Sequence, residues 1–227
     1  MNTITMNTLL LLTIALSAGG CAQLIGLEKP DDSDPDDRDA GGGDPVDAAT
    51  PPEADAAGLP RDSVRRVFVT EGRYTGALGG LAGADQICQT EAMNAQLGGE
   101  WIAWLADGTD SPSTRFVQGT NEYRRLDGMA IASNWDALID GTLDVPLNHT
   151  PTGMLTPGER ATWTNVTADG QFRDRLDEGH CAGWTDETGN ALTGYSGENN
   201  KSDSTWTLFG DFLIFCDSDL HLYCFER

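Results

Sequence analysis

The side chains best suited to holding a ligand lie late in the chain, at Glu198, Asn199, Asn200 and Asp203. Carboxylate and amide oxygens in loops are the ligands that calcium prefers in proteins. We therefore predict a ligand-binding loop at these four residues. Solvated loop residues would give the same pattern, so we expect no cofactor and no metal centre, with bound calcium as the alternative.

One tryptophan belongs to the same prediction. Trp184 lies in the run Cys181-Ala-Gly-Trp-Thr185, which is the most loop-like setting of the six tryptophans. An indole ring in a loop can line a ligand surface, whereas a ring in the core contributes packing area. We include Trp184 in the predicted ligand-binding set, with core packing as the alternative.

Catalytic patterns are missing from the sequence. The three histidines, His149, His180 and His221, have no metal-ligand spacing among them. There is no nucleophile elbow, no H-E-x-x-H and no Cys–His pair beyond the structural cysteines. A carboxylate pair of the glycosidase kind stays formally open, but nothing selects one. We therefore expect no catalytic residues and a protein that is not an enzyme.

The cysteines indicate an oxidising compartment. Cys88, Cys181, Cys216 and Cys224 form an even set in the C-terminal part of the chain, and Cys21 stands apart near the N-terminus. In an exported chain an even set implies disulfides, and four cysteines allow three pairings. The spacing alone leaves all three open.

The elements that must position these residues are short. A helical pattern places Ala84, Ile87, Cys88 and Ala92 on one face, and a second short helix has Ser133 as its expected N-cap. Short strands are expected at 66–70, 101–105, 162–164, 204–209, 212–216 and 221–225. Long loops rich in Gly, Asp, Asn and Thr separate them. The sequence predicts an α+β domain with few helices over residues 60–227.

The charge of the chain excludes several partners. Its formal net charge is −22, and residues 28–55 contribute 11 acidic and 2 basic residues, which leaves −13 for the remainder. Such a surface repels nucleic acid, anionic lipid headgroups and heparin-like polymers. We expect no nucleic-acid partner.

The order of motifs resembles endostatin and other C-type-lectin-like domains. The matching segments are Cys88 to Leu105, Ser133-Asn-Trp-Asp-Ala-Leu-Ile-Asp-Gly141, Trp163-Thr164, Cys181-Ala-Gly-Trp-Thr185 and Leu222-Tyr-Cys-Phe-Glu226. The same pattern is similar to that of bacterial surface lipoproteins, including the endostatin-like outer-membrane lipoproteins of Leptospira. The resemblance implies a C-type-lectin-like fold and binding to an extracellular protein or glycan.

The resemblance also implies a disulfide pairing. In the C-type lectin fold the first cysteine pairs with the fourth and the second with the third, which here gives Cys88–Cys224 and Cys181–Cys216. Loop-closure entropy assigns these bridges roughly 5 and 4 kcal/mol of stabilisation as upper estimates. The sequence departs from sugar-binding relatives, because no Glu-Pro-Asn or Gln-Pro-Asp precedes Cys181 and Trp206-Thr-Leu208 replaces Trp-Asn-Asp.

The N-terminus has the pattern of an export signal. An apolar run at 9–16 is followed by small residues and then by Cys21, which resembles the lipobox of bacterial lipoproteins. The resemblance implies a signal peptide at 1–20 and lipid attachment, with palmitate among the acyl chains, at Cys21. Ordinary secretion, or an uncleaved membrane helix from Leu9 to about Leu27, are the alternatives.

Residues 21–59 link the expected anchor to the domain. From Glu28 to Leu59 this Pro/Gly/Asp/Ala tract has almost no large apolar residue. It cannot bury enough surface to offset its ordering entropy, so a disordered acidic linker is expected.

Three functions follow for a protein of the outer membrane or cell surface. The leading hypothesis is a lipid-anchored recognition domain that binds an extracellular protein or glycan without catalysis. The alternatives are a structural envelope component with no dissociable ligand and, third, an extracellular polymer hydrolase.

Overall fold

The computed structural model describes residues 64–158, 160–173, 179–188 and 192–227. The predicted signal peptide, lipidated Cys21 and acidic linker lie outside these ranges. The elements, in chain order, are β1 (Val64–Val69), α1 (Gly80–Asn94), β2 (Trp101–Ala103), α2 (Pro112–Arg115), β3 (Glu122–Arg125), β4 (Ala130–Ala132), α3 (Trp135–Leu138), β5 (Ala161–Trp163), α4 (Cys181–Trp184), β6 (Thr193–Glu198), a short 3-10 helix (Ser204–Trp206), β7 (Leu213–Phe215) and β8 (Tyr223–Glu226).

The strands form two sheets. The larger sheet has the order β2-β8-β1-β3-β4, and the smaller sheet has the order β5-β6-β7. At the centre of the larger sheet β1 pairs antiparallel with β8, with Val67 opposite Phe225. The first and last strands of the described chain therefore meet in one sheet.

Helix α1 covers one face of the larger sheet. Its buried residues are Ala84, Cys88 and Ala92, which confirms three of the four positions predicted for its apolar face, whereas Ile87 is partly buried. Small side chains let the helix backbone approach the sheet closely. A disulfide between Cys88 and Cys224 joins the helix to β8.

The other face of that sheet packs on an aromatic core. The Trp104 ring lies 5.1 Å from Trp206 and 5.3 Å from Phe225, measured between ring centroids. The Trp104 indole N–H donates to the Thr207 hydroxyl at 2.7 Å. This hydrogen bond satisfies a buried donor that would be costly to leave unpaired.

The structure confirms an α+β domain with two disulfides and corrects two local predictions. Residues 204–209 do not form a strand, since Asp203 caps the 3-10 helix by accepting the Thr205 N–H at 3.0 Å. The N-cap of α3 is Asn134 rather than Ser133, because the Asn134 side chain accepts the Ala137 N–H at 2.9 Å. Among the described residues, no helix is long and apolar enough to cross a membrane.

Candidate functional site

Four of the five predicted ligand-binding residues lie together at one turn. Glu198 ends β6, Asn199 and Asn200 form the turn that follows, and Asp203 precedes the 3-10 helix. The Glu198 carboxylate lies 4.0 Å from the Lys201 ammonium group. The predicted loop is therefore one local structure in the folded protein.

Two of these residues hold the turn, Asn199 through its backbone and Asp203 through its carboxylate. Asn199 is buried, and its backbone N–H donates to the Arg160 carbonyl at 2.9 Å. The exposed Asp203 carboxylate accepts both the hydroxyl and the backbone N–H of Thr205. These hydrogen bonds, the hydroxyl first, lower the pKa of Asp203 below its ordinary value.

Trp184 belongs to the core, which corrects its place in the predicted ligand surface. Its ring is fully buried and lies 5.6 Å from the Trp163 ring, and its indole N–H donates to the Ala106 carbonyl at 2.8 Å. Ring and N–H are both occupied by protein groups, so Trp184 offers no surface to a ligand.

The histidines occupy structural positions. The His180 imidazole accepts the Gly183 N–H at 2.8 Å, and one ring nitrogen of His221 lies 2.8 Å from the Thr70 carbonyl. In the part of the chain that the structure describes, no group of three or more His, Cys, Asp or Glu side chains could hold a metal ion.

His149 belongs to a compact charged cluster. Its Nε2 lies 3.2 Å from the Asp127 carboxylate, and its Nδ1 lies 2.9 Å from the Asn148 side-chain oxygen. The Arg125 guanidinium donates to both Asp127 and Asn148. Burial, and then the charge of Arg125, lower the pKa of His149 below its ordinary value, against the opposing effect of Asp127.

A groove of about 370 Å³ lies between α1 and the loop that follows β1. Glu91 dominates it, because its carboxylate accepts the backbone N–H groups of Glu71 and Gly72 and the Tyr74 hydroxyl, at 2.6, 2.9 and 2.8 Å. Burial, and then Glu91, raise the pKa of Tyr74. Both carboxylate oxygens therefore serve to fix the loop against the helix.

Among the described residues, a group of exposed apolar side chains lies at β7 and the position before it. We call Phe212, Leu213 and Phe215 the β7 patch; their side chains are 70%, 40% and 49% exposed. Ile214 points to the opposite face of the strand and packs against the core. Large apolar side chains grouped at the surface commonly mark an interaction site.

The β7 patch has a firm support beneath it. Phe209 stacks on Phe212, with ring centroids 5.9 Å apart. Tyr195 of β6 lies opposite Leu213, is buried, and is covered by the Arg173 guanidinium at 4.9 Å from the ring centre. The patch is therefore displayed by strands and stacked rings rather than by an isolated loop.

Sequence reasoning predicted a strand at 212–216 but missed this surface. The run Phe-Leu-Ile-Phe is apolar at every position, so no alternation with polar residues distinguishes a covered face from an exposed one. The only available signal was the flanking pair of acidic residues, Asp211 and Asp217. Burial at β7 depends on what packs over it, which a local pattern does not contain.

A comparison with curated proteins found no match to the chain. A family model described as a protein of unknown function, DUF1554, matches residues 71–202. The match covers more than half of the 227 residues and includes β2 to β6 together with the first two of the four paired cysteines. The chain therefore belongs to the DUF1554 family.

Proposed function

We propose that this chain is an exported lipoprotein, anchored through Cys21, that presents a recognition domain at the bacterial outer membrane or cell surface. The domain, residues 60–227, has a C-type-lectin-like, endostatin-like fold and binds an extracellular protein without catalysis. The disulfides Cys88–Cys224 and Cys181–Cys216 support this fold, because they are the two pairs that the resemblance implies. Disulfides also suit an extracytoplasmic compartment.

The β7 patch is the single observation that carries the binding function. A domain that exposes Phe212, Leu213 and Phe215 within four consecutive residues has apolar surface that a partner would cover. Aromatic side chains are enriched where proteins meet. A protein is favoured over a glycan because Phe and Leu offer no hydrogen-bonding groups to sugar hydroxyls.

The charged cluster supports binding over catalysis. A histidine that acts as general base needs a ring nitrogen within reach of the substrate proton. In His149 one ring nitrogen faces Asp127 and the other faces Asn148. The arrangement is suited to holding the chain together rather than to moving protons.

The test is a binding panel with the oxidised chain from residue 21 to 227 carrying Cys21→Ser, which has neither the apolar signal segment nor the acyl chains. The panel contains purified matrix and envelope proteins and an array of glycans, each with calcium and then with chelator. We expect binding to a protein that is unchanged by chelator and is lost in the double variant Phe212→Ser/Phe215→Ser.

A matched control distinguishes the patch from surface hydrophobicity in general. Met154→Ser/Leu155→Ser removes two apolar side chains that are 67% and 64% exposed on a different loop, and it should bind like the parent chain. Glycan binding that is lost with chelator would contradict the proposal in favour of a calcium-dependent lectin. No binding across the panel would contradict it in favour of a structural envelope component.

A further inference from the structure

We infer that the outer edge of β7 binds an extended segment of the partner protein as an added strand. This segment carries apolar side chains and has lysine or arginine at one end. The inference rests on the proposed function and specifies its partner. Three observations carry it: the position of β7 in its sheet, the direction of its backbone groups, and the charge at one end of the strand.

Strand β7 is a terminal strand of the smaller sheet. In the order β5-β6-β7, it pairs with β6 alone within the residues that the structure describes. Such an edge presents backbone N–H and C=O groups to an incoming chain. Proteins that bind peptides by strand addition do so at edges of this kind. Most edges are protected by charged side chains, whereas Leu213 and Phe215 are exposed on this strand.

The register determines which backbone groups point outward. The Cys216 N–H donates to the Leu192 carbonyl at 3.1 Å, so these two residues form a hydrogen-bonded pair. Bonded and non-bonded pairs alternate along an antiparallel ladder, so Ile214 forms the next bonded pair with β6. The backbone groups of Leu213 and Phe215 are therefore directed away from β6.

One outward group is already used. The Phe215 carbonyl accepts the Ser218 N–H at 3.0 Å, in the turn that ends the strand. The Leu213 N–H, the Leu213 carbonyl and the Phe215 N–H are then directed to the edge. A partner strand would meet these three groups and lay alternate side chains on the β7 patch.

The end of β7 is acidic. Asp217 and Asp219 follow the strand directly and are exposed. Glu187 is also exposed, and its carboxylate accepts the Thr75 hydroxyl at 2.6 Å. It lies near the same end of the strand, because the N–H of the next residue, Gly76, donates to the Cys216 carbonyl. Arg73 also lies at this end and donates to the Asp219 backbone carbonyl. Among the described residues, the three carboxylates outnumber this guanidinium and leave a negative end that favours lysine or arginine on the partner.

A second copy of the chain fits this edge less well. Outside residues 28–55 the chain carries a net charge of −13, so two copies would bring like charge together. A basic-ended partner instead gains from the same charge. The occupant we commit to is therefore a different protein.

The probe is a set of synthetic ten-residue peptides of alternating Val and Thr. One peptide has three lysines at the N-terminus and another has three lysines at the C-terminus. In two matching peptides, three glutamates replace the lysines. Binding to the oxidised Cys21→Ser chain is measured by fluorescence anisotropy at two salt concentrations. We expect one lysine peptide to bind, with affinity that falls with salt, and the glutamate peptides to bind at least about tenfold more weakly.

Backbone methylation of the peptide tests strand addition without altering the protein. N-methyl groups on the peptide edge that faces β7 should weaken binding by about tenfold or more, whereas methyl groups on the opposite edge should not. On the protein side, Leu213→Pro removes an outward N–H and should weaken binding similarly. Ile214→Val, which changes only the inward side chain, is its control.

The outcomes separate this inference from the proposed function. Loss of binding in Phe212→Ser/Phe215→Ser with no effect of methylation would leave recognition standing and overturn strand addition. Equal binding of lysine and glutamate peptides would overturn the basic partner. A dimer that forms with rising concentration and is abolished by Leu213→Pro would overturn the different partner in favour of a second copy. No peptide binding, together with protein binding in the panel, would overturn this inference alone.

Discussion

At the scale of single residues, the cluster around His149 shows how burial changes an ionisable side chain. The Arg125 guanidinium is buried, donates to the Asp127 carboxylate at 2.6 Å and donates to the Pro146 carbonyl at 2.7 Å. The imidazole beside it therefore meets a fixed positive charge in a site with little water. Hydrogen bonds and the charge of Arg125 lower the pKa of Asp127, although burial opposes them.

This cluster predicts a pH dependence of stability. The folded protein keeps His149 neutral to a lower pH than the unfolded chain does, so the unfolded chain binds more protons below about pH 6.5. The contribution is fully present above that pH and is lost as the pH falls through the window between about pH 6.5 and the lowered pKa of His149. In His149→Gln, we expect the fall in unfolding free energy across this window to become shallower, as measured by urea unfolding at several pH values.

A second replacement separates titration from loss of a contact. His149→Asn removes the same titrating group but places its hydrogen-bonding atoms differently from His149→Gln. It should therefore flatten the dependence of the unfolding free energy on pH as His149→Gln does. If both variants lost stability equally at every pH, with the slope of the parent chain, the cluster would act only through its contacts.

At the scale of elements, the segment at α4 has an uncommon backbone. All four of its residues, Cys181, Ala182, Gly183 and Trp184, have positive φ, between 47° and 70°. The Trp184 N–H still donates to the His180 carbonyl at 2.7 Å, so the segment is one left-handed turn. A left-handed residue other than glycine costs about 1–2 kcal/mol. The Cys181–Cys216 disulfide and the burial of Trp184 hold this turn in place.

The turn predicts a stabilising glycine. Ala182 is exposed, with φ 53° and ψ 50°, and its side chain is not needed for packing. Ala182→Gly removes the left-handed strain but adds about 0.5–1 kcal/mol of chain entropy to the unfolded state. We expect a net gain of about 0.5 kcal/mol in unfolding free energy, measured by denaturant titration of the oxidised protein.

The same substitution in a right-handed helix is the control. Ala82 is exposed within α1, and Ala82→Gly should lower the free energy of unfolding by about 1 kcal/mol. Changes of opposite sign in the free energy of unfolding for Ala182→Gly and Ala82→Gly would support the left-handed turn. A loss at Ala182 as large as that at Ala82 would contradict it.

At the scale of the whole molecule, the proposal depends on an anchor at Cys21. When it is expressed in a bacterial host, the parent chain should incorporate labelled palmitate and sediment with the membrane fraction. Cys21→Ser removes the acceptor thiol, so we expect it to lose the label, because the acyl chains that supply the membrane affinity are attached there.

The neighbouring residue provides the control for that experiment. Ala22→Ser changes the position after the cysteine and leaves the thiol, so it should keep both the label and the membrane association. A parent chain that sedimented with the membrane without incorporating label would contradict lipid anchoring and favour an uncleaved helix at residues 9–27.

The sequence by itself determined the features that depend on near neighbours. The period of Ala84, Cys88 and Ala92 predicts the buried face of α1, because residues three and four apart share one side of a helix. Short apolar runs separated by turn-forming residues indicate an α+β domain. An even set of cysteines in an exported chain indicates disulfides but leaves three pairings open.

Only the tertiary structure decided which surfaces are covered. Trp184 is in a loop-like stretch and is buried, whereas Phe212 is in an apolar stretch and is exposed. The antiparallel pairing of β1 with β8 joins residues such as Val67 and Phe225 that are far apart in the chain. Whether a side chain is buried depends on such distant partners, and a local pattern of residue types contains no information about them.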